Sequence, residues 1–394
     1  MVCTLVAVVT LVSVVQAQVS IPMDGTIGHV SIVDGTRTIN IDNDDRVILK
    51  AGQSLSITVD GPALENLAIL PEFPVTKFSL EEEDPLSSEQ LAGLQKLRIL
   101  REVWIQCPAF NDDAIKALEA TNTIQVLNLL QSSITDAGCE SLKGFPHLKT
   151  LNLRGSNITD EGISKLASFR ELETVLLPPH LTDFGLPLFV ENNKQIKKMD
   201  LSKIRITDKG LECLGQLLHL EELILRETTI GDNGVAYLAN IRSLRTLDLS
   251  NTQISDAVLN TLSSFQNLDT LDLSHTKITG KGLSKLAVTK LKYLGLDYAC
   301  LTDNAIPELV KIEKLRSVSL IGTRVSDLAL RELAKIKDLE SVDLPVQASE
   351  EFTELIEKSN PGCQVFLISE FSQEMNPGSA IETNDIPCGP EYSH

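Results

Sequence analysis

The sequence predicts an α/β solenoid, a horseshoe of strand-plus-helix units with a parallel sheet on the concave face and short helices on the convex one. Leucine-type residues open a unit at Leu100, Ile124, Leu148, Leu172, Ile196, Leu220, Leu244, Leu268, Leu291, Leu315 and Leu339. The step is 24 residues, broken once by a step of 23 between Leu268 and Leu291, and a fixed period of that size marks a repeat array. Inside each unit the hydrophobic period changes. The first half, LxxLxL, as in Leu148, Leu151 and Leu153, ends in the alternation of a short strand with one buried face. The second half, ITDxGLxxLxxL, as in Ile158, Ile163, Leu166 and Phe169, has the spacing of a helical face.

Each element follows from that pattern. The Thr or Ser before the helical half (Thr135, Thr159, Thr182, Thr207, Ser255, Thr279, Thr302, Ser326) is placed as a helix N-cap. The Asp after it, as in Asp136, Asp160 or Asp256, sits where the helix dipole favours negative charge. One strand and one short helix cannot bury both apolar faces alone, so the units must stack to share a core. Residues 71–345 carry this array. Val75, Phe78 and Leu80, then Leu91, Leu94 and Leu97, form its degenerate first unit.

These residues resemble the leucine-rich repeat family. The position that holds Asn in the common LxxLxLxxN motif is mostly Ser or Thr here (Ser132, Ser156, Thr228, Thr252, Thr276, Thr323). With ITDxGL, that is similar to the cysteine-containing subtype of F-box repeat proteins and of many secreted bacterial proteins. The resemblance implies a curved binding scaffold and no particular activity.

The flanks differ in character. Residues 1–17 carry no charge, hold an apolar stretch from Leu5 to Val15, and end in the small-residue pattern Val15-Gln16-Ala17. They read as a signal peptide, with a membrane anchor or a cytosolic strand as alternatives. Export would place the chain outside the cell, in the periplasm or in the cell envelope, with no membrane insertion once the signal is removed. Residues 18–70 read as a β-rich module or cap, with strands at Ile27–Val33, Arg37–Ile41, Arg46–Leu49 and Leu55–Val59 between turn dipeptides. The run Asp42, Asn43, Asp44, Asp45 lacks the spacing and the Gly of a calcium loop and reads as a turn. Residues 346–371 form a C-terminal cap, a helix over Ser349–Lys358 and a strand over Cys363–Ile368. Residues 372–394 are rich in Pro and Gly and read as a flexible tail.

Composition narrows the function. A net charge of −19 and a pI of about 4.8 argue against nucleic acid as a partner. No HExxH, phosphate-binding Gly loop, nucleophile elbow or Cys-x-x-Cys occurs, so the reading is non-enzymatic, with no cofactor and no metal. Of seven cysteines, Cys3 leaves with the signal, and Cys107, Cys139, Cys213 and Cys300 fall at unmatched offsets. Cys363 with Cys388 is the possible disulfide, tying tail to cap.

The concave face holds the candidate contacts. The residue after each opening leucine alternates in sign (Lys149, Glu173, Lys197, Glu221, Arg245, Asp269, Lys292), which reads as a cross-strand charge ladder. Less easily explained are Asp200, Asp248, Asp272, Asp297, His275, Tyr293 and Tyr298, with Trp104, Arg154 and Arg226 on the N-terminal side. Asp248 and Asp272 share one offset in consecutive repeats, where like charges repel unless something offsets them. Either Arg245 and Lys292 compensate them on a hydrated face, or a partner does. Trp104 serves as a contact or packs the N-terminal module. The leading expectation is a secreted or envelope scaffold whose concave sheet binds a protein. An intracellular F-box-like adaptor, or an envelope protein binding carbohydrate or a metal ion, are the alternatives.

Overall fold

The computed structural model describes residues 16–19, 29–34, 37–40, 47–50, 53–60, 75–81, 95–166, 169–345 and 348–368. The chain forms two compact units, Met1–Leu181 and Thr182–His394.

In the first unit β1 (Gln16–Val19) pairs antiparallel with β4 (Val47–Lys50). β2 (His29–Asp34) pairs antiparallel with β3 (Arg37–Asn40) and with β5 (Gln53–Asp60). From β5 the pairing is parallel and in chain order, through β6 (Val75–Glu81), β7 (Glu102–Gln106), β8 (Val126–Leu130), β9 (Thr150–Asn152) and β10 (Thr174–Leu176). The β-rich segment therefore does not stand apart from the repeats, because β5 buries Leu55 and Ile57 and extends their sheet. Gln16 and Ala17 pair with Lys50 and Leu49, so cleavage after Ala17 would remove half of the β1–β4 register. Residues 1–15, the run Asp42–Asp45 and the tail 372–394 lie outside the described residues.

The second unit is parallel throughout. Its strands are β11 (Lys198–Asp200), β12 (Glu222–Ile224), β13 (Thr246–Asp248), β14 (Thr270–Asp272), β15 (Tyr293–Gly295), β16 (Ser317–Ser319), β17 (Ser341–Pro345) and β18 (Gln364–Ile368). Register follows the period: Leu223, Leu247, Leu271, Leu294, Val318, Val342 and Val365 lie side by side. From Leu223 to Val342 each middle residue is buried, and from β12 to β16 its neighbours on the strand face outward. The cap helix runs Glu350–Ser359, with the Ser349 hydroxyl accepting from the Phe352 N–H.

The helical halves are shorter than the pattern predicts. Asp160–Lys165 and Gly185–Asn192 are α-helical, whereas Gly210–Gln216 and Leu283–Val288 are 3-10 turns. Once strand and turn are subtracted from the period, one or two turns remain, a length at which the tighter bonding is common. Four of the Ser and Thr that replace the motif Asn are buried and close the preceding turn. Ser156, Thr228, Thr252 and Thr276 each donate to the carbonyl three residues back, those of Leu153, Leu225, Leu249 and Leu273.

The conserved-looking Asp does more than complement a helix dipole. Its carboxylate reaches forward one repeat and accepts from both the N–H and the hydroxyl of the next Thr or Ser. Asp112 holds Thr135, Asp136 holds Thr159, Asp183 holds Thr207, Asp232 holds Ser255, Asp303 holds Ser326 and Asp327 holds Ser349, at 2.6–3.0 Å. Charge-assisted bonds of this kind are the stronger ones. The two bonds from Ser349 pull the Asp327 carboxyl below its ordinary value. This bridge also explains the Gly of ITDxG. A Cβ on Gly138, Gly162, Gly210 or Gly234 would lie 2.3–2.5 Å from the preceding repeat's Asp Oδ1.

Gly210 isolates that constraint, because Asp183 Oδ1 at 2.4 Å is the one severe clash there. Gly210→Ala is expected to destabilise by about 1–3 kcal/mol. Asp183→Ala removes both bonds to Thr207 and is expected to cost about 1–2 kcal/mol. In the double variant the two losses should fall short of additive by at least about 0.5 kcal/mol, which urea denaturation of the four proteins measures.

Candidate functional site

In eight repeats the strand leaves its sheet through a residue with positive φ, namely Gln131, Gly155, Lys203, Glu227, Asn251, His275, Tyr298 and Gly322; the repeat of β10 has none. The N–H of that residue donates across to the next strand's exit, as from Asn251 to the Ser274 carbonyl and from His275 to the Asp297 carbonyl. The cross-repeat bond fixes the left-handed turn whatever the side chain.

Just before this turn lies an offset with one structural task. Its side chain accepts a hydrogen bond from the N–H two residues on. Asn128 takes it from Leu130, Asn152 from Arg154, Asp200 from Ser202, Asp248 from Ser250 and Asp272 from Ser274, at 2.8–3.0 Å. In the first unit the acceptor is an amide, and Asn152 Nδ2 also donates to Asn128 Oδ1 at 3.2 Å. The second unit does the same job with carboxylates. Asn does this work as well as Asp, and Leu176, Ile224 and Gly295 fill the offset with no side-chain oxygen, so the fold does not require a charge here.

In the second unit those charges gather. Asp248 and Asp272 are register partners on β13 and β14. Asp272 leans over Gly295 of β15, where a Cβ would meet its Oδ1 at 2.5 Å. Asp297 follows, accepting from the Ser319 hydroxyl and from the Ile321 N–H at 2.9 Å. Asp343, on β17, lies beyond. Burial pushes the Asp248 carboxyl up, and Asp272 adds to it against the pull of Ser250 and Arg226. Burial likewise raises Asp297, with Asp272 and Asp343 contributing, and it raises Asp343. Of Arg245 and Lys292, the bases expected to compensate them, Arg245 is engaged elsewhere, its Nε 3.6 Å from Asp269; Arg226 Nε lies 3.1 Å from Glu227. Among the described residues the ion pairs of this unit pass Asp248, Asp272, Asp297 and Asp343 by.

Beside the carboxylates stands an aromatic pair. His275 and Tyr298 stack with centroids 4.6 Å apart and planes at 15°. Both occupy the left-handed exit position, with φ of 54° and 52°, which bulky side chains rarely take. The Tyr298 ring lies against Gly322, whose Cβ would meet it at 2.4 Å. Burial, then the charge of Arg226, hold the His275 imidazole below its ordinary value. Tyr293, 45% exposed, shares the face on β15.

Of the residues singled out from sequence, Asp200, Arg226, Asp248, Asp272, His275, Tyr293, Asp297 and Tyr298 belong to the second unit, and Asp248 through Tyr298 fall on three neighbouring repeats. Trp104 and Arg154 belong to the first unit. Trp104 is 44% exposed on β7, in register with Ser79 and Asn128, and so is not enclosed by packing. Sequence reasoning missed Asp343, which repeats the offset of Asp248, and Gly295 and Gly322, whose signal was the absence of a side chain beside a large one. Of the sign-alternating ladder, Arg245 and Asp269 pair, and Arg316–Glu340 continues it.

The cysteines depart from expectation. Cys363 is buried with a free thiol, raised by burial, and its Sγ lies 3.9 Å from the Gln364 carbonyl; Cys388 lies outside the described residues. Cys107, Cys139 and Cys213 are also free, the last two pushed up to about 12 by burial, whereas Cys300 is disulfide-bonded. Among the described residues no group of three or more His, Cys, Asp or Glu could hold a metal ion, and no helix is long and apolar enough to cross a membrane.

A family profile described as Leucine Rich repeat matches residues 146–167, 216–239, 240–257 and 266–287. No curated protein sequence matches the chain. Among solved structures, an internalin (inlF) from Listeria monocytogenes is similar, with a TM-score of 0.55 and 19% identity, over 80% of this chain and 86% of that one. The shared feature is the fold, a leucine-rich-repeat solenoid.

A carboxyl with a raised folded pKa stabilises while it is protonated, and that contribution is lost as pH rises through its folded value. Asp248→Asn with Asp272→Asn keeps the oxygen acceptors and removes two charges. The variant is expected to melt at or above the wild-type temperature at pH 7. The gap should close as pH falls and the raised Asp248 carboxyl takes up its proton; thermal unfolding across pH checks this.

Proposed function

We propose that this protein is a non-enzymatic scaffold that binds a basic segment of another protein on the open sheet face of its second unit, the face expected to be concave. The observation that carries the reading is the substitution of charge for amide at one structural offset. Asn128 and Asn152 perform the backbone task of that offset without charge. Asp248 and Asp272 perform it as register partners that repel each other, and the charge of Arg226 only partly offsets the burial of Asp248. A Lys- or Arg-bearing partner would supply the missing counter-charge on docking.

The neighbouring aromatics support the same occupant. Stacked His275 and Tyr298 present a ring surface beside Asp272 and Asp297, and guanidinium groups pack on such surfaces while pairing with carboxylates. The two rings occupy a turn position that Gln131, Gly155, Lys203, Glu227, Asn251 and Gly322 fill without an aromatic ring, so the turn does not call for them. Asp200, Arg226 and Tyr293 flank this contact, and Trp104 and Arg154 offer a separate surface on the first unit.

We place the protein outside the cytosol, in the cell envelope or exterior. The apolar, uncharged N-terminus and the disulfide at Cys300 favour an oxidising compartment. The Ser/Thr ladder with ITDxGL keeps its resemblance to the cysteine-containing subtype, and the β strands before the repeats favour the secreted members of that group over an F-box adaptor.

Cross-linking capture from the native host, with wild type and the Asp248→Asn/Asp272→Asn variant as baits, tests the reading. Wild type is expected to enrich a protein cross-linked through Lys- or Arg-rich peptides to residues 244–298. The variant, folded by circular dichroism, should enrich it at least about tenfold less, the effect of roughly 1.4 kcal/mol in binding. Equal capture by both baits would overturn the proposal.

A further inference from the structure

Trp104, the only tryptophan of the chain, stands on the open sheet face of the first unit, apart from the residues to which binding of a basic segment is assigned. It is 44% exposed. Its offset is filled on the other parallel strands of this unit by Ser79, Asn128, Asn152 and Leu176, so the sheet has no need of a ring there. An indole left half in water offers a large apolar surface and one N–H donor. No described residue accepts from Trp104 Nε1.

The neighbours of this ring are neutral and polar. Of the outward side chains on β7, β8, β9 and β10 only Glu102 is charged, and Lys77 Nζ pairs with it at 2.8 Å. By contrast, β11 to β14 carry Lys198, Asp200, Glu222, Asp248 and Asp272. Asn128, the register partner of Trp104 on β8, accepts at Oδ1 from the Leu130 N–H at 3.0 Å and from Asn152 Nδ2 at 3.2 Å. Both lone pairs of that oxygen are then taken. The amide is held in one orientation, and its Nδ2 is left as a donor with no described acceptor. Thr150 and Thr174, register partners on β9 and β10, likewise keep hydroxyls that no described residue bonds.

A ligand matched to this face is uncharged, carries groups that both donate and accept, and lays an apolar surface on the indole. A sugar ring meets all three conditions. Its C–H face packs on the electron-rich face of an aromatic ring, and the hydroxyls at its rim reach amide and hydroxyl groups alongside. From β7 to β10 the face spans three strand spacings, about 14 Å, which is longer than one sugar ring. We infer that the open face over β7–β10 binds a neutral glycan chain, with Trp104 as the stacking surface and Asn128, Thr150 and Thr174 as the hydrogen-bonding groups along it. A protein seated on Trp104 would need a dry surround, and drying this one strands the Asn128 donor and the two hydroxyls unpaired.

With Trp104 the only tryptophan, the fluorescence of the full-length chain reads this face directly. Titration with cellohexaose, xylohexaose, mannohexaose and chitohexaose is expected to shift its emission saturably to the blue for at least one of them, with matching heat in calorimetry. Asn128→Asp keeps the acceptor for Leu130 and Asn152 and loses the outward donor. That variant should fold, by circular dichroism, and bind the same hexasaccharide at least about tenfold more weakly. Trp104→Ala should give no measurable heat, and Asp248→Asn/Asp272→Asn should bind as wild type does. No saturable response to any of the hexasaccharides, unchanged binding by Asn128→Asp, or binding retained by Trp104→Ala would overturn the inference, as would loss of binding in Asp248→Asn/Asp272→Asn. The two faces share no residue, so the glycan site and the basic-partner site fail or stand separately.

Discussion

The carboxylate that reaches forward one repeat governs the construction of both units. An Asp in ITDxG gives up its place at its own helix to hold the N–H and hydroxyl of the next Thr or Ser. Because the oxygen fills the space where a side chain would begin, the next repeat must supply Gly. Thr, Asp and Gly are thus one three-part joint spread over two repeats. The buried leucines provide most of the apolar stabilisation, but leucine packing tolerates sliding. The polar joint admits one register, and it makes the strand pairing of each unit follow the sequence period.

The period and the strands were legible because they depend on residue type at fixed spacing. Of the Thr and Ser expected as N-caps, by contrast, Thr159, Ser255 and Ser326 cap a helix or turn, and the elements after Thr135, Thr182, Thr207 and Thr279 begin from Gly138, Phe184, Lys209 and Gly282. The strand expected over Leu55–Val59 and the helix expected over Ser349–Lys358 lie within a few residues of β5 and Glu350–Ser359. The role of the Asp was not legible, since its partner lies 23 or 24 residues away and a helix dipole offered a sufficient local reason for it. The helical halves were overestimated for the same cause: apolar spacing cannot distinguish an α turn from a 3-10 turn of equal burial.

The candidate site was legible as a set of residue types and illegible as an argument. Two aspartates at one offset announce repulsion, but only the hydrogen bonds show that asparagine does the same work four and more repeats earlier. That comparison separates what the turn needs from what the charge adds. The stacking of His275 on Tyr298 also required geometry, because their offset carries side chains as different as Gln131, Gly155 and Lys203 in other repeats. The expected compensation by Arg245 failed for a specific reason, the nearer carboxylate of Asp269 in its own row.

The central claim is that the carboxylates of the second unit are held for a basic partner. The most direct test is the salt dependence of that partner's affinity, measured by calorimetry for wild type and for Asp248→Asn/Asp272→Asn. If the charges do the recognising, wild-type affinity falls steeply with added salt and the variant binds weakly with a much flatter dependence. Parallel slopes for the two proteins would contradict the account and return these carboxylates to the hydrated surface of a repeat sheet.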